Sequence, residues 1–131
     1  MGFMLEIVTP ERSFYEGEVA RVIVKGIEGE MAILKNRAPI ITPLAIGKIR
    51  ILKDGEEKVA AAVNGYISVD KEKTTIITDS CEWPEEIDIA RAEDAKMRAE
   101  NRIKDSSKFD EKRAKLALSR ALVRIDIKNN L

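Results

Sequence analysis

The residues of this chain best suited to chemistry are arginines held at helical spacing. Asp88, Arg91 and Arg98 recur at intervals of three and seven, and Arg113, Arg120 and Arg124 at seven and four. Each set therefore falls on one face of a helix. Lys112, Arg113, Lys115, Arg120 and Arg124 also form a basic run with no acidic residue inside it. Guanidinium forks bind phosphate and carboxylate bidentately, so two such rows on facing helices are able to converge on an anion or on an acidic partner surface. A solvated face with intrahelical ion pairs satisfies the same spacing, and spacing does not separate the two.

Other chemistry is excluded by composition. The 131 residues include no histidine and one cysteine, Cys81. That rules out a Cys/His zinc site, a Cys–His dyad, a Ser–His–Asp triad and an internal disulfide within the chain. Cys81 is expected to be a small buried apolar residue. Glu11, Glu16, Glu18, Glu28, Glu30 and Glu82 lie among turn residues without an evident acid–base partner, and read as a solvated rim. Gly26-Ile27-Glu28-Gly29 leads into a strand-like run rather than Lys-Ser/Thr and a helix, so it is not a phosphate loop. Basic and acidic residues balance at 23 each, which leaves no excess charge for a nucleic acid. No apolar run approaches the ~20 residues that span a bilayer, and the opening Met-Gly-Phe-Met-Leu-Glu lacks the regions of a signal peptide. The expectation is a cytosolic chain with no direct membrane insertion, no metal, no resident cofactor and no catalytic residue of its own.

Two patterns of hydrophobicity meet near Trp83-Pro84. Phe3 to Val8 reads as a strand ending at Thr9-Pro10, and Glu18 to Lys25 alternates through Val19, Val22 and Val24. Met31 to Leu34 and Ile40-Ile41 read as short buried runs, the second enclosed by Pro39 and Pro43. Ile46, Ile49 and Ile51 open a strand that turns at Asp54-Gly55 and returns over Glu57 to Val63, a strong hairpin signal. Tyr66 to Val69 and Thr74 to Thr78 pair around Asp70-Lys71-Glu72-Lys73. Eight to ten such strands predict an antiparallel sandwich or flattened barrel over residues 1–84.

Beyond Pro84 the chain contains neither glycine nor proline, and the apolar period becomes helical. Pro84 suits a first helical position, with Glu85 and Glu86 complementing the helix dipole. Ile89, Ala92, Ala95, Ala99 and Ile103 make one stripe, and Ala114, Ala117, Leu118, Ala121, Leu122 and Ile125 a second. Asp105-Ser106-Ser107 breaks the pattern between them, with Ser107 and Asp110 spaced like a variant capping box. Alanine-rich stripes let helices approach closely but bury little area, so residues 85–131 predict a helical hairpin that is separable from the sandwich.

Five segments in this order resemble the epsilon subunit of bacterial F-type ATP synthase over essentially the whole chain. They are Val8-Thr9-Pro10-Glu11-Arg12 with Phe14-Tyr15-Glu16-Gly17; Gly29-Glu30-Met31-Ala32-Ile33-Leu34-Lys35-Asn36-Arg37-Ala38-Pro39-Ile40; Asn64-Gly65-Tyr66-Ile67-Ser68-Val69 with Thr75-Ile76-Ile77-Thr78-Asp79; Glu85-Glu86-Ile87-Asp88-Ile89-Ala90-Arg91-Ala92; and Leu116-Ala117-Leu118-Ser119-Arg120-Ala121-Leu122. The second departs from the family's usual pattern at Ala32, Lys35 and Arg37, where glycine, proline and histidine are common.

The resemblance implies a ten-stranded β-sandwich followed by two antiparallel helices, in an α+β chain. It further implies a non-catalytic place in the rotating central stalk, peripheral on the cytoplasmic side of the plasma membrane. There the sandwich binds the gamma subunit and the c-ring, with Glu30 on the ring-facing loop. The hairpin folds down, or extends towards the alpha and beta subunits and impedes ATP hydrolysis. Lys112, Arg113, Lys115, Arg120 and Arg124 would then meet acidic segments of beta. Some members bind ATP in the folded hairpin through an Ile/Leu-Asp-x-x-Arg-Ala motif. Ile87, Asp88, Arg91 and Ala92 match that motif, and Glu82, Arg98, Arg120 and Arg124 match its supporting positions. Two other readings stand beside this one: a purely structural rotor subunit whose hairpin senses no nucleotide, and a free-standing enzyme or nucleic-acid-binding module.

Overall fold

Strand alternation and turn chemistry build the first unit. The computed structural model describes residues 2–105 and 111–129. Ten strands occur among them: β1 Phe3–Val8, β2 Ser13–Val19, β3 Arg21–Gly26, β4 Gly29–Leu34, β5 Ile40–Leu44, β6 Gly47–Lys53, β7 Glu56–Val63, β8 Gly65–Val69, β9 Lys73–Ile77 and β10 Ser80–Glu82. Hydrogen-bonded neighbours follow the order β10-β7-β6-β3-β5-β8-β9-β1-β2, with β4 attached to β3. The β3–β5 seam rests on one pairing, Gly26 with Leu44, so the sheet folds there into two layers. The pairings are antiparallel except β1 with β9, which run parallel. Alternation alone carries no strand direction, which is why the sequence predicted a purely antiparallel sandwich.

Aliphatic side chains fill the space between the layers. Leu5, Ile7, Ile33, Ile67 and Ile76 are fully buried, and Cys81 is buried as expected. Asp54 (φ 52°) and Gly55 (φ 78°) both take the left-handed conformation that a tight two-residue hairpin requires between β6 and β7. Gly65 is demanded more strictly. Its φ is 129°, and a Cβ there would stand 1.9 Å from the Ile77 carbonyl oxygen.

Several expected elements differ in detail. The alternating run from Glu18 to Lys25 is two strands, because at Ala20 the chain turns from one layer to the other and its N–H donates to Leu52 O of β6. Met31 to Leu34 is no buried run: within β4 only Ile33 is buried, and Leu34 is exposed. Ile33 stands opposite buried Val22 of β3, so alternation along β4 sends Ala32 and Leu34 to the solvent face. Ile41 is likewise 74% exposed on β5, which runs through Pro43.

Residues 83–131 form a second compact unit, separate from residues 1–82. Pro84–Glu86 is a single 3-10 turn rather than the start of the long helix. Glu86 N–H donates to Trp83 O and Ile87 N–H to Pro84 O, while Trp83 N–H donates to the Glu86 carboxylate at 3.0 Å. Ile87 is extended, and helix α1 runs over Ile89–Asp105, followed by helix α2 over Glu111–Asn129. The predicted capping box of Ser107 and Asp110 lies outside the described residues.

Candidate functional site

The hairpin positions its arginines through alanine packing. Ala92 and Ala99 of α1 and Ala114 and Ala121 of α2 are all buried, each pair seven residues apart. Lys128, at the end of α2, donates from Nζ to Pro84 O at 2.9 Å, just ahead of α1, which makes the two helices antiparallel. Ala117, Leu118 and Ile125 are half-buried as the second stripe predicts. Leu122 is instead 44% exposed, and Ile127, outside the predicted stripe, is buried.

Asp88 caps α1. Its Oδ1 accepts the Arg91 N–H at 3.1 Å, and its carbonyl accepts the Ala92 N–H. An aspartate here satisfies orphan amides at the helix start and opposes the positive end of its dipole. Asp88, Arg91 and Arg98 share one shallow concave face with Ala90, Asp94, Met97 and Asn101. Arg98 Nε reaches the Asp94 carbonyl at 3.5 Å. Ile87 and Ala92 are buried instead, so of the motif it is Asp88 and Arg91 that present side chains to this face.

At about 100° per residue, the arginine row of each helix lies roughly 90° from its buried alanines, in the same rotational sense. Antiparallel packing carries two such rows to the same flank of the hairpin. Asp88 and Arg91 thus lie towards the same end as Arg124. Arg120 is half-buried, and its Nε is enclosed without a hydrogen-bond partner among the described residues. Arg124 is half-buried; Lys112, Arg113 and Lys115 are exposed, and Lys115 pairs with Glu111 at 3.2 Å. Glu82 belongs to β10 of the other unit. Asp94, Met97 and Asn101 were not singled out from sequence. The signal was present, since 91, 94, 98 and 101 continue one helical face.

A second feature lies on the sandwich. Register places Pro43 opposite Tyr66, Tyr66 opposite Ile77, and Ile77 opposite Val8. These four residues make one row across β5, β8, β9 and β1 on the solvent side, with Ile41 two residues from Pro43 on the same face. Tyr66 is 58% exposed and Ile77 56%. The sequence expectation missed this row because Ile41 was taken as interior. The parity of Ile40, Ile41, Thr42 and Pro43, followed by buried Leu44, contained the correction.

Polar pairs sit elsewhere on the strands. Lys73 Nζ bonds Glu6 at 2.6 Å, which holds the Glu6 carboxyl below its ordinary range and raises Lys73. Arg50 grips both oxygens of Glu57, at 2.9 and 3.1 Å, lowering Glu57 and raising Arg50. Glu30, expected on a loop, stands in β4 opposite Lys25, beside the β3–β4 turn.

A two-layer β-sandwich with an exposed apolar row, followed by an arginine-flanked hairpin, defines a two-unit α+β class of protein. Residues 2–84 match the family described as "ATP synthase, Delta/Epsilon chain, beta-sandwich domain", and residues 85–129 "ATP synthase, Delta/Epsilon chain, long alpha-helix domain". The chain belongs to this delta/epsilon family of ATP synthase subunits. It is 47% identical to the ATP synthase epsilon chain of Clostridium kluyveri over 124 residues, 94% of each chain. Identity to that of Caldicellulosiruptor bescii is 44%, covering 95% of this chain and 92% of the relative. In fold it is similar to a chain in the Euglena gracilis mitochondrial ATP synthase structure containing OSCP, F1 and c-ring. That likeness has a TM-score of 0.82 at 20% identity and covers 90% of this chain and 76% of that one.

Proposed function

We propose that this chain is a non-catalytic rotor subunit of a bacterial F-type ATP synthase. It transmits rotation between the membrane ring and the catalytic head, and its hairpin restrains ATP hydrolysis. The observation that carries the reading is the row Pro43–Tyr66–Ile77–Val8. An apolar stripe on the outer face of a sheet is stabilised by a partner that covers it, and membership of the delta/epsilon family supports the gamma subunit as that partner. Glu30 and Lys25, beside the β3–β4 turn, offer polar contacts to the c-ring. No helix among the described residues is long and apolar enough to cross a membrane. Attachment through partners on the cytoplasmic side supplies the membrane association.

The hairpin carries the regulatory half of the proposal. Extended, its basic run Lys112 to Arg124 faces acidic segments of beta. Folded, its arginine flank holds ATP: Arg91 and Arg98 from α1, with Arg120 and Arg124 from α2, take the phosphates. The enclosed Nε of Arg120, which has no hydrogen-bond partner among the described residues, fits such a ligand, because an anion at that flank supplies an acceptor. Asp88 supports the site by fixing the first turn of α1 beneath Arg91.

ATP in the millimolar range should raise the melting temperature of the isolated chain by linkage, RT ln(1 + [L]/Kd). Arg91→Ala and Arg120→Ala should abolish the rise. An unchanged wild-type melting temperature removes nucleotide sensing and leaves a rotor subunit with a mechanical brake. Deleting residues 85–131 should raise hydrolysis by the assembled complex, and an unchanged rate removes the brake.

A further inference from the structure

We propose that Lys128 is a latch that holds the hairpin closed. Its ammonium and the Pro84 carbonyl are separated by 2.9 Å across 44 residues of chain. The bond ties the last turn of α2 to the turn that precedes α1. This inference rests on the reading of the hairpin as a movable element and names the contact that opposes its opening.

The receiving end is rigid. The Pro84 carbonyl already accepts Ile87 N–H at 3.2 Å, Glu86 N–H donates to Trp83 O, and the Glu86 carboxylate accepts Trp83 N–H. Three bonds within five residues fix the direction of the Pro84 carbonyl, and its second lone pair receives the ammonium. Lys128 is half-buried, so solvent screens the bond only in part. Its neighbour Ile127 and the turn's Ile87 are both buried.

The helices themselves resist opening weakly. Ala92, Ala99, Ala114 and Ala121 each contribute little area. One charge-assisted bond at the end where α2 returns to α1 therefore has disproportionate leverage on the closed state. Breaking it lets the C-terminal turns of α2 lift from the Trp83–Ile87 turn, which is where extension of the hairpin must begin.

Amide hydrogen exchange on the full-length isolated chain tests this with Lys128→Met, which keeps the aliphatic stem and removes the donor. Exchange over residues 119–129 and over 83–87 should rise about tenfold, as expected for loss of a partly shielded charged hydrogen bond. Residues 3–82 should exchange as in wild type, and Lys128→Arg should stay within about threefold of it, since a cationic donor remains. Emission of Trp83, the single tryptophan, should change in Lys128→Met and not in Lys128→Arg.

Unchanged exchange in Lys128→Met overturns the latch. So does a rise confined to the last turn of α2 with residues 83–87 unaffected, because loss of a cation at a helix C-terminus gives that result alone. If Lys128→Met also loosens residues 3–82, Lys128→Leu, which likewise has no donor, replaces it and is read by the same two outcomes. The brake is tested separately by hydrolysis of the complex lacking residues 85–131. Failure there removes the brake and leaves exchange to decide the latch.

Discussion

Truncating the apolar row is the perturbation whose effect the structure sets most directly. Ile77 is 56% exposed, which leaves about 100 Å2 of side chain to bury against a partner, worth roughly 2.5 kcal/mol at about 25 cal/mol per Å2. Ile77→Ala removes three of the four side-chain carbons, so it should forfeit about 1.9 kcal/mol, roughly a 25-fold rise in Kd. Tyr66, 58% exposed and directly opposite, should couple to it, and the double variant Tyr66→Ala/Ile77→Ala should lose about a hundredfold. Neither side chain belongs to the core, so stability should move by less than about 1 kcal/mol. Titration calorimetry of the isolated chain against purified gamma subunit measures Kd, with thermal melting as the control. Leu34→Ala, exposed on the other layer, should bind as wild type. A Kd for the double variant within twofold of wild type, with melting unchanged, would refute the assignment of this row to gamma.

Asp88→Ala should cost the hairpin about 1 kcal/mol through loss of the α1 cap, seen as faster exchange in the first turn of α1. Gly65→Ala should destabilise the sandwich by about 3 kcal/mol, because the side chain meets the Ile77 carbonyl from a left-handed backbone; chemical denaturation measures it. Glu6 and Glu57 are held below the ordinary carboxylate value of 4.5 by Lys73 and Arg50. Their pairing therefore stabilises the fold above about pH 4.5 and is lost as pH falls through their lowered values. Lys73 and Arg50 are shifted up, so no loss from these pairs is expected on raising pH from 6 to 9. Glu6→Gln and Glu57→Gln should flatten the acid side of a melting-temperature profile, and added salt should reduce the effect.

The fold was legible where local chemistry decides it. Asp54-Gly55, the alternation of Ile49 and Ile51, and the loss of glycine after Pro84 each admit few structures. What escaped was set by tertiary partners. Parallel pairing of β1 with β9 joins residues some seventy positions apart, and nothing in either strand encodes it. The break at Ala20 depends on a bond to Leu52, and the exposure of Leu34 on register, which sets Ile33 rather than Leu34 opposite buried Val22.

At the hairpin, Asp88, Arg91 and Arg98 shared a face as their spacing required. The helix start was misplaced because Pro84 and two glutamates also suit a 3-10 turn, whereas Asp88 held the true cap. The latch could not be read at all, since it depends on where α2 ends relative to a turn 44 residues earlier.

The most direct test of the rotor account is ATP synthesis in membrane vesicles driven by an imposed ion gradient. Vesicles from cells lacking this chain would be compared with vesicles complemented by the full chain or by residues 1–84. The account predicts little gradient-driven synthesis without the chain, restoration by the full chain, and restoration by residues 1–84 with hydrolysis no longer restrained. Gradient-driven synthesis at the same rate with and without the chain would contradict it.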